Sequence, residues 1–138
     1  MNDVFCKIIH GDIPSSKVYE DDDVLAILDV SQVTRGHTLV MPKKHYTNML
    51  DCPSDILHKV MDVAQRIGQA EMLVLGASGI NILTNAGEAA GQSVLHFHVH
   101  VIPRYAGEQS GFQIEMKEND TSSMNLPALA DQIASKLK

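Results

Sequence analysis

The sequence predicts one α+β domain built on a mainly antiparallel sheet. Five short runs have the length and apolar pattern of strands, and a long helical pattern separates the third run from the fourth. No internal repeat or domain boundary is visible, so residues 1–138 are predicted to form one domain, with a core over 4–105 and a tail over 106–138. The predicted strands are residues 17–20, 24–29, 38–41, 79–85 and 96–102.

Three helices complete this prediction. Residues 4–9 form a short apolar turn, which glycine and proline end. Between residues 51 and 75 apolar side chains recur at intervals of three and four, which is typical of an amphipathic helix. A last helix near residues 127–137 carries an apolar stripe that needs a partner, either the chain's own sheet or a second subunit.

The composition is that of an ordinary globular domain. Eleven basic against seventeen acidic residues give a net charge of −6, which argues against nucleic acid as a partner of the whole surface. No apolar run is long enough to span a membrane and the first residues lack a signal-peptide layout, so a cytoplasmic location is expected. Cys6 and Cys52 are too few for a disulfide framework and are expected to be thiols.

The most informative stretch holds three histidines. His96, His98 and His100 alternate with apolar residues, as in a strand with one buried face. Their rings should point the same way at spacings of about 6.6 Å, so that a single substrate atom lies within reach of the row. Three interpretations are open from the pattern alone: a chance solvent face, a metal site, or a nucleophilic centre at phosphorus.

The pattern around these histidines resembles a known family. Residues 96–102 read His-φ-His-φ-His-φ-φ, where φ is apolar, and Gly91-Gln92-Ser93 precedes them. This is similar to the defining motif of the histidine triad (HIT) family of nucleotide hydrolases and transferases, and residues 36–45 match the same family closely. The resemblance, nearest to the bacterial branch that is like histidine triad nucleotide-binding proteins, implies a HIT-like fold and a homodimer formed by joining two sheets.

The resemblance also implies a mechanism. His98 would attack the α-phosphorus of a nucleotide and form a covalent nucleotidyl-imidazole, which water then hydrolyses. The other ring nitrogen of His98 would be held as N–H by an acceptor, expected to be a backbone carbonyl. His96 and His100 would hydrogen-bond the phosphate or protonate the leaving group, and Ser93 would stabilise developing charge. Because sugar-phosphate transferases of the superfamily usually have Gln at the position of His100, hydrolysis is favoured.

By the same resemblance, Asp29 would bind the ribose hydroxyls, and Asn85 and Gln92 would contact the α-phosphate and leaving group with Ser93. Phe5 and Ile8 are expected either to line the base pocket or to be simple core residues. Outside the row, His37 and His45 are expected to have surface or structural roles. The predicted substrate-binding set is Phe5, Ile8, Ile27, Leu28, Asp29, Asn85 and Gln92.

The substrate class implied is a purine nucleoside 5′-phosphoramidate or a related adenylated compound. Two alternatives are a dinucleoside polyphosphate hydrolase and a non-catalytic module that binds a purine nucleotide or zinc. The chemistry itself requires no cofactor. No nucleic acid and no membrane are expected as partners.

A structural zinc is a further expectation from the resemblance. Some bacterial members begin with Cys-x-x-Cys and bind zinc through these cysteines, the histidine of the Lys-Lys-His run and the first histidine of the triad. This chain has Cys6, His45 and His96, but Asp3 stands where the first cysteine is expected. A carboxylate is a zinc ligand too, although the loss of a thiolate weakens the expectation.

Overall fold

The computed structural model describes residues 3–137. It contains three α-helices, five strands and two single 3-10 turns at Met49–Asp51 and Glu88–Ala90. The elements in chain order are α1 Val4–Ile9, β1 Lys17–Glu20, β2 Val24–Leu28, β3 Thr38–Pro42, α2 Ser54–Val74, β4 Gly79–Leu83, β5 Val99–Arg104 and α3 Leu126–Ala134.

The strands form one antiparallel sheet in the order β1-β2-β3-β5-β4, so the predicted fold class is confirmed. The C-terminal strand β5 inserts between β3 and β4. In this register His100 pairs with Leu39 of β3 on one side and with Leu83 of β4 on the other. The histidine segment therefore continues into the interior of the sheet, and β4 forms one edge.

Residue alternation divides the core between the two faces of the sheet. On one face α2 covers a cluster that includes Phe97, Val99 and Val101. On the opposite face a smaller cluster is formed by Phe5, Leu25, Ile27, Leu39 and Met41, which brings α1 to that side. Because neighbouring residues of an extended chain point to opposite faces, the three histidines lie on the α1 side.

Among the predicted strand boundaries that differ from the structure, the two on either side of the loop before β5 matter for the site. The strand with the histidines begins at Val99 rather than at residue 96, and β4 ends at Leu83 rather than at residue 85. The reason is a different set of partners for the backbone: the Phe97 amide donates to the Tyr46 carbonyl, and the hydroxyl of Thr84 donates to the His98 carbonyl. These bonds turn residues 96–98 out of the ladder.

After β5 the chain leaves the sheet. The Gly111 amide donates to the Val33 carbonyl, and the Arg104 guanidinium lies over the ring of Phe112 at 5.2 Å from its centroid. Beyond this point residues 113–137 are all exposed, α3 included. Within residues 3–137 no helix has both the length and the apolar character needed to cross a membrane.

Candidate active site

The three histidines share one face of the sheet but differ in depth. His98 and His100 are half-buried, with ring centroids 5.0 Å apart, whereas the side chain of His96 is 0% exposed. The His96 ring packs at right angles against His45, with centroids 5.0 Å apart. The predicted single row is therefore wrong for its first member, because residues 96–98 lie outside the sheet and the His96 ring is fully buried.

His98 is held in one orientation by its own chain. Its Nδ1 donates to the main-chain carbonyl of His96 at 2.8 Å, which is the type of acceptor expected from the sequence. In the neutral ring this bond places the proton on Nδ1 and leaves the Nε2 lone pair free. The edge of the Phe5 ring packs against the His98 ring at 4.8 Å between centroids. Burial lowers the pKa of His98 below its ordinary value, which favours the neutral imidazole that a nucleophile requires.

His100 is supported by His37. The rings stack with centroids 5.1 Å apart, and His37 Nε2 lies 2.9 Å from His100 Nδ1. His37 Nε2 also lies 3.7 Å from a carboxylate oxygen of Asp29. We assign the shared proton to His37, since the carboxylate favours N–H at that nitrogen. His100 then carries its own proton on Nε2, the nitrogen turned away from His37.

The electrostatics of this pair favour neutral rings. Burial, reinforced by the neighbouring His98 and His37, lowers the pKa of His100 to about 4. Burial also lowers the pKa of His37, against the opposing effect of Asp29. His100 is thus a neutral hydrogen-bond donor over the physiological pH range.

Sequence reasoning missed the contact between His37 and His100. His37 directly precedes β3, and its neighbour but one, Leu39, pairs with His100. Only the register of β3 on β5 places His37 diagonally opposite His100. The signal in the sequence is a histidine two residues before Leu39, which can be recognised only once the pairing of Leu39 with His100 is known.

Most of the predicted site residues meet at one cleft of about 320 Å³. His98 and His100 form part of its wall, and the hydroxyl of Ser93 makes no hydrogen bond to another residue of the described chain. Asp29 accepts a hydrogen bond from the Ser31 amide through Oδ1. The cleft is lined by Phe5, Asp29, Leu39, Asn85, Gly91, Gln92, Ser93, Val94, His98 and His100.

Gln92 has a different part from the one predicted. Its amide nitrogen donates to the carbonyls of Thr47 and Val94 at 2.6 and 3.1 Å. Its carbonyl oxygen accepts from the Gly87 amide at 2.9 Å and from the Asn48 amide group at 3.3 Å. All four hydrogen-bonding positions of the side chain are thereby used. Gln92 lines the cleft but fastens the loop before the histidines instead of offering groups to a phosphate.

Three other predicted residues do not line the cleft. Ile27 is buried beneath Phe5 in the smaller core cluster, and Ile8 packs against the same cluster. Leu28 lies on the opposite face, beside Thr38 and Val63, because it is the next residue after Ile27 in an extended strand. The sequence left open whether Phe5 and Ile8 line a pocket or are core residues. In the structure Phe5 lines the cleft, whereas Ile8 packs against the core.

His96 belongs to a second group of polar side chains. Its Nε2 donates to the Pro42 carbonyl at 2.9 Å, and its Nδ1 lies 3.6 Å from Cys6 Sγ and 3.4 Å from Asp3 Oδ2. His45 Nδ1 lies 3.0 Å from the same Asp3 oxygen and 3.8 Å from the sulfur. The four potential ligand atoms are within 4.8 Å of one another.

This group fits a tetrahedral zinc ion. Ligands at about 2.0–2.3 Å from such an ion are roughly 3.3–3.8 Å apart, close to the spacings observed. Asp3 Oδ2 is buried and makes no hydrogen bond to any described residue, as expected of an atom that ligates a metal. His96 Nε2 is already bonded to a carbonyl, which is the usual support for a metal-bound imidazole. Burial and the Asp3 carboxylate raise the pKa of the Cys6 thiol while no cation is present.

The structure is thus an α+β domain with histidine rings at the start of an inner strand of its sheet. This combination defines a known class of protein domain. A family model described as HIT domain matches residues 10–107. The protein named Protein hit of Bacillus subtilis (strain 168) is 46% identical over 138 residues, covering 99% of this chain and 94% of that protein. The chain belongs to the HIT family, as the motif predicted.

Solved structures agree with this assignment. A HIT family protein from Bacillus anthracis has a TM-score of 0.92 at 46% identity, over 99% of this chain and 98% of that one. A Zn-bound histidine triad family protein from Mycobacterium smegmatis has a TM-score of 0.77 at 39% identity, over 99% of both chains. Adenylylsulfatase HINT3 of Arabidopsis thaliana is 42% identical over 101 residues, which are 73% of this chain and 51% of that protein.

Proposed function

We propose that the protein hydrolyses purine nucleoside 5′-phosphoramidates, or related adenylated compounds, at the α-phosphorus. The observation that carries this proposal is the setting of His98: its ring lies on the cleft wall with Nδ1 occupied by the His96 carbonyl, and burial lowers its pKa, which favours the neutral form. A fixed imidazole with one free lone pair is a nucleophile, and the adjacent N–H of His100 suits a phosphate oxygen. The adenylylsulfatase relative supports attack on an adenylated substrate.

The reaction has two steps. In the first, His98 Nε2 forms a bond to the α-phosphorus, and the bond from phosphorus to the leaving amine breaks with its electron pair on nitrogen, which takes up a proton from solvent. In the second, water attacks the same phosphorus and gives up a proton to solvent, the bond to His98 breaks, and its electron pair returns to the imidazole. Dividing one displacement into two lowers each barrier. His100 and Ser93 donate hydrogen bonds to the phosphate and leaving group in both steps.

His96 has a supporting part in this proposal. Its ring is too deeply buried for contact with a phosphate in the cleft, so the predicted direct role is replaced by its carbonyl, which fixes the orientation of His98. For the nucleoside, Asp29 has an oxygen free to accept from ribose hydroxyls, since only Oδ1 bonds to Ser31. Phe5 and Leu39 supply the apolar wall of the cleft for a base.

The substrate class is tested by comparing AMP release from three adenosine compounds: a 5′-phosphoramidate, adenylyl sulfate and diadenosine tetraphosphate. We expect the first two to be cleaved with a kcat/KM at least about tenfold above the third, because the cleft is small and no lysine or arginine is among its described lining residues to bind a chain of extra phosphates. A preference for diadenosine tetraphosphate would support the dinucleotide alternative. Binding of AMP without any turnover would support the non-catalytic module.

We also propose a structural zinc held by Asp3, Cys6, His45 and His96. When bound, such an ion contributes folding free energy and fixes its ligands. The fit of the four ligand atoms supports this, as does the Zn-bound relative from Mycobacterium smegmatis. Since the carbonyl that orients His98 belongs to His96, the zinc cluster would steady the nucleophile through the main chain.

Finally, we propose a homodimer. The edge strand β4 exposes Ile82, at 45%, and the outer surface of α2 exposes Met61 and Met72. An uncovered edge strand beside an apolar helix surface is suited to pairing with a second copy. The test is the mass in solution by light scattering at micromolar concentration, where we expect twice the chain mass. A single chain mass at every concentration would contradict the homodimer.

A further inference from the structure

The structure leaves the apolar stripe of α3 uncovered. Leu129 is 39% exposed and Ile133 is 61% exposed, and every residue of the helix is classed as exposed. A nine-residue helix is too short to be stable in water by itself, so its apolar side needs a surface to pack against. The described part of this chain offers α3 no such surface where it stands.

An apolar groove of matching size is also uncovered. It lies on the α2 side of the sheet, between the C-terminal half of α2 and the hairpin of β1 and β2, and encloses about 380 Å³. At its edge the Arg66 guanidinium lies over the Tyr19 ring at 4.9 Å from the centroid. Its apolar lining includes Val18, Leu28, Val63, Ile67, Ala70 and Val74.

A buried acidic side chain at one end of the groove favours a partner with a positive charge. Glu71 lines the groove and is 7% exposed, and neither carboxylate oxygen bonds to any described residue. Burial raises its pKa to about 7. Gly36 lies against the carboxylate, and a side chain there would collide with it. A buried carboxylate with no donor is costly, and a cationic partner in the groove would remove that cost.

We propose that α3 of a second copy of this chain packs into this groove, with its Lys136 ammonium on the Glu71 carboxylate. This inference rests on the homodimer proposed above and adds a second contact to it. Residues 129, 133 and 136 follow one another at intervals of four and three, so Lys136 continues the line of Leu129 and Ile133.

The dimensions agree with this arrangement. At 1.5 Å per residue, α3 and the turn through Leu137 extend about 17 Å. The α2 wall of the groove, from Val63 to Val74, has the same length of about 17 Å. The stripe and the groove are both largely apolar along this length, and the Glu71 carboxylate lies near one end of the groove as the Lys136 ammonium lies near one end of the stripe.

A cross-linking experiment between two forms of the full chain tests the proposal. In a Cys52→Ser background, a tagged chain carries Ala70→Cys in the groove and an untagged chain carries Leu129→Cys in the stripe. After the subunits are mixed and exchanged, a short bismaleimide should join tagged to untagged chains. The control is Asp131→Cys in place of Leu129→Cys, since residue 131 is two positions from both Leu129 and Ile133 and so lies on the other side of α3, and it should give little product.

The charge pair is tested in the same assay. Lys136→Glu should lower the cross-linking yield at least about tenfold, as expected when one member of a buried charge pair is reversed. Lys117→Glu is the matched control, because Lys117 lies in the same tail with an 82% exposed side chain, and it should leave the yield unchanged. Both lysines are exposed in the single chain, so neither change should impair folding.

The outcomes separate this inference from the homodimer. A dimeric protein with no mixed product overturns the docking of α3 and leaves the homodimer standing. A chain that carries both Ala70→Cys and Leu129→Cys and is cross-linked only to itself shows that α3 folds back on its own groove, which also overturns the second copy. A monomeric mass overturns both proposals together.

Discussion

The Nδ1 atom of His98 donates a hydrogen bond of 2.8 Å to the main-chain carbonyl of His96. This contact spans two residues within the segment that precedes β5 and lies outside the sheet. It links the proposed nucleophile to the cluster in which the His96 ring lies. The two histidines thus have separate parts, one at the cleft and one beneath it.

The stacking of His37 on His100 predicts a loss of catalysis without a loss of binding. His37→Phe retains a ring at this position but removes the N–H that we assign to the bond with His100 Nδ1. We expect kcat to fall about 10- to 100-fold, the range for loss of a group that orients a catalytic side chain, with KM little changed. His58→Phe, on the exposed side of α2, is the matched control. An equal fall in both variants would contradict the role of His37.

The lowered pKa values of the cleft histidines predict the acid limb of the pH profile. Because burial lowers the pKa of His100 to about 4 and that of His98 below its ordinary value, both rings are mostly neutral at pH 6.5. The kcat/KM for a phosphoramidate should therefore reach half of its maximal value only below pH 6.5. A half-maximal kcat/KM at or above pH 6.5, under conditions in which the protein stays folded, would contradict neutral buried rings.

Gln92 predicts an effect on stability. Gln92→Ala removes four hydrogen bonds and leaves half-buried main-chain groups of Thr47, Val94 and Gly87 without this partner. We expect a loss of about 2 kcal/mol in the free energy of unfolding, with lower activity because the loop is released. Thermal unfolding compares it with Gln69→Ala, an exposed change on α2 that should be neutral. A neutral Gln92→Ala would show that Gln92 does not fasten the loop.

The zinc proposal predicts an effect of chelation. Protein purified without chelator should contain about one zinc per chain, and removal of the ion should lower its melting temperature. Cys6→Ser should contain much less zinc and melt at a temperature that chelator no longer changes. Cys52→Ser, at the other free cysteine, should behave like the unmodified protein. Full zinc content in Cys6→Ser would contradict the ligand assignment.

The sequence predicted much of the fold, because period-two and period-3.6 patterns report local structure directly. The five strands, α2 and the separation of Phe97 from the histidines all follow from such patterns. The separation of residues 96–98 from the sheet did not, since it depends on hydrogen bonds with Tyr46 and Thr84, which are distant in sequence. For the same reason, the contact between His37 and His100 could be predicted only with knowledge of the sheet register. The hydrogen bonds of Gln92 could be predicted only with knowledge of how the loops pack.

The central claim is that His98 is the nucleophile, and intact-protein mass spectrometry tests it most directly. The protein would be mixed briefly with adenosine 5′-phosphoramidate and quenched, with His98→Ala treated in parallel. We expect a transient gain of one adenylyl group in the unmodified protein and none in His98→Ala, which should still bind AMP. An adduct of equal yield in His98→Ala, or turnover within about tenfold of the unmodified protein, would contradict the account.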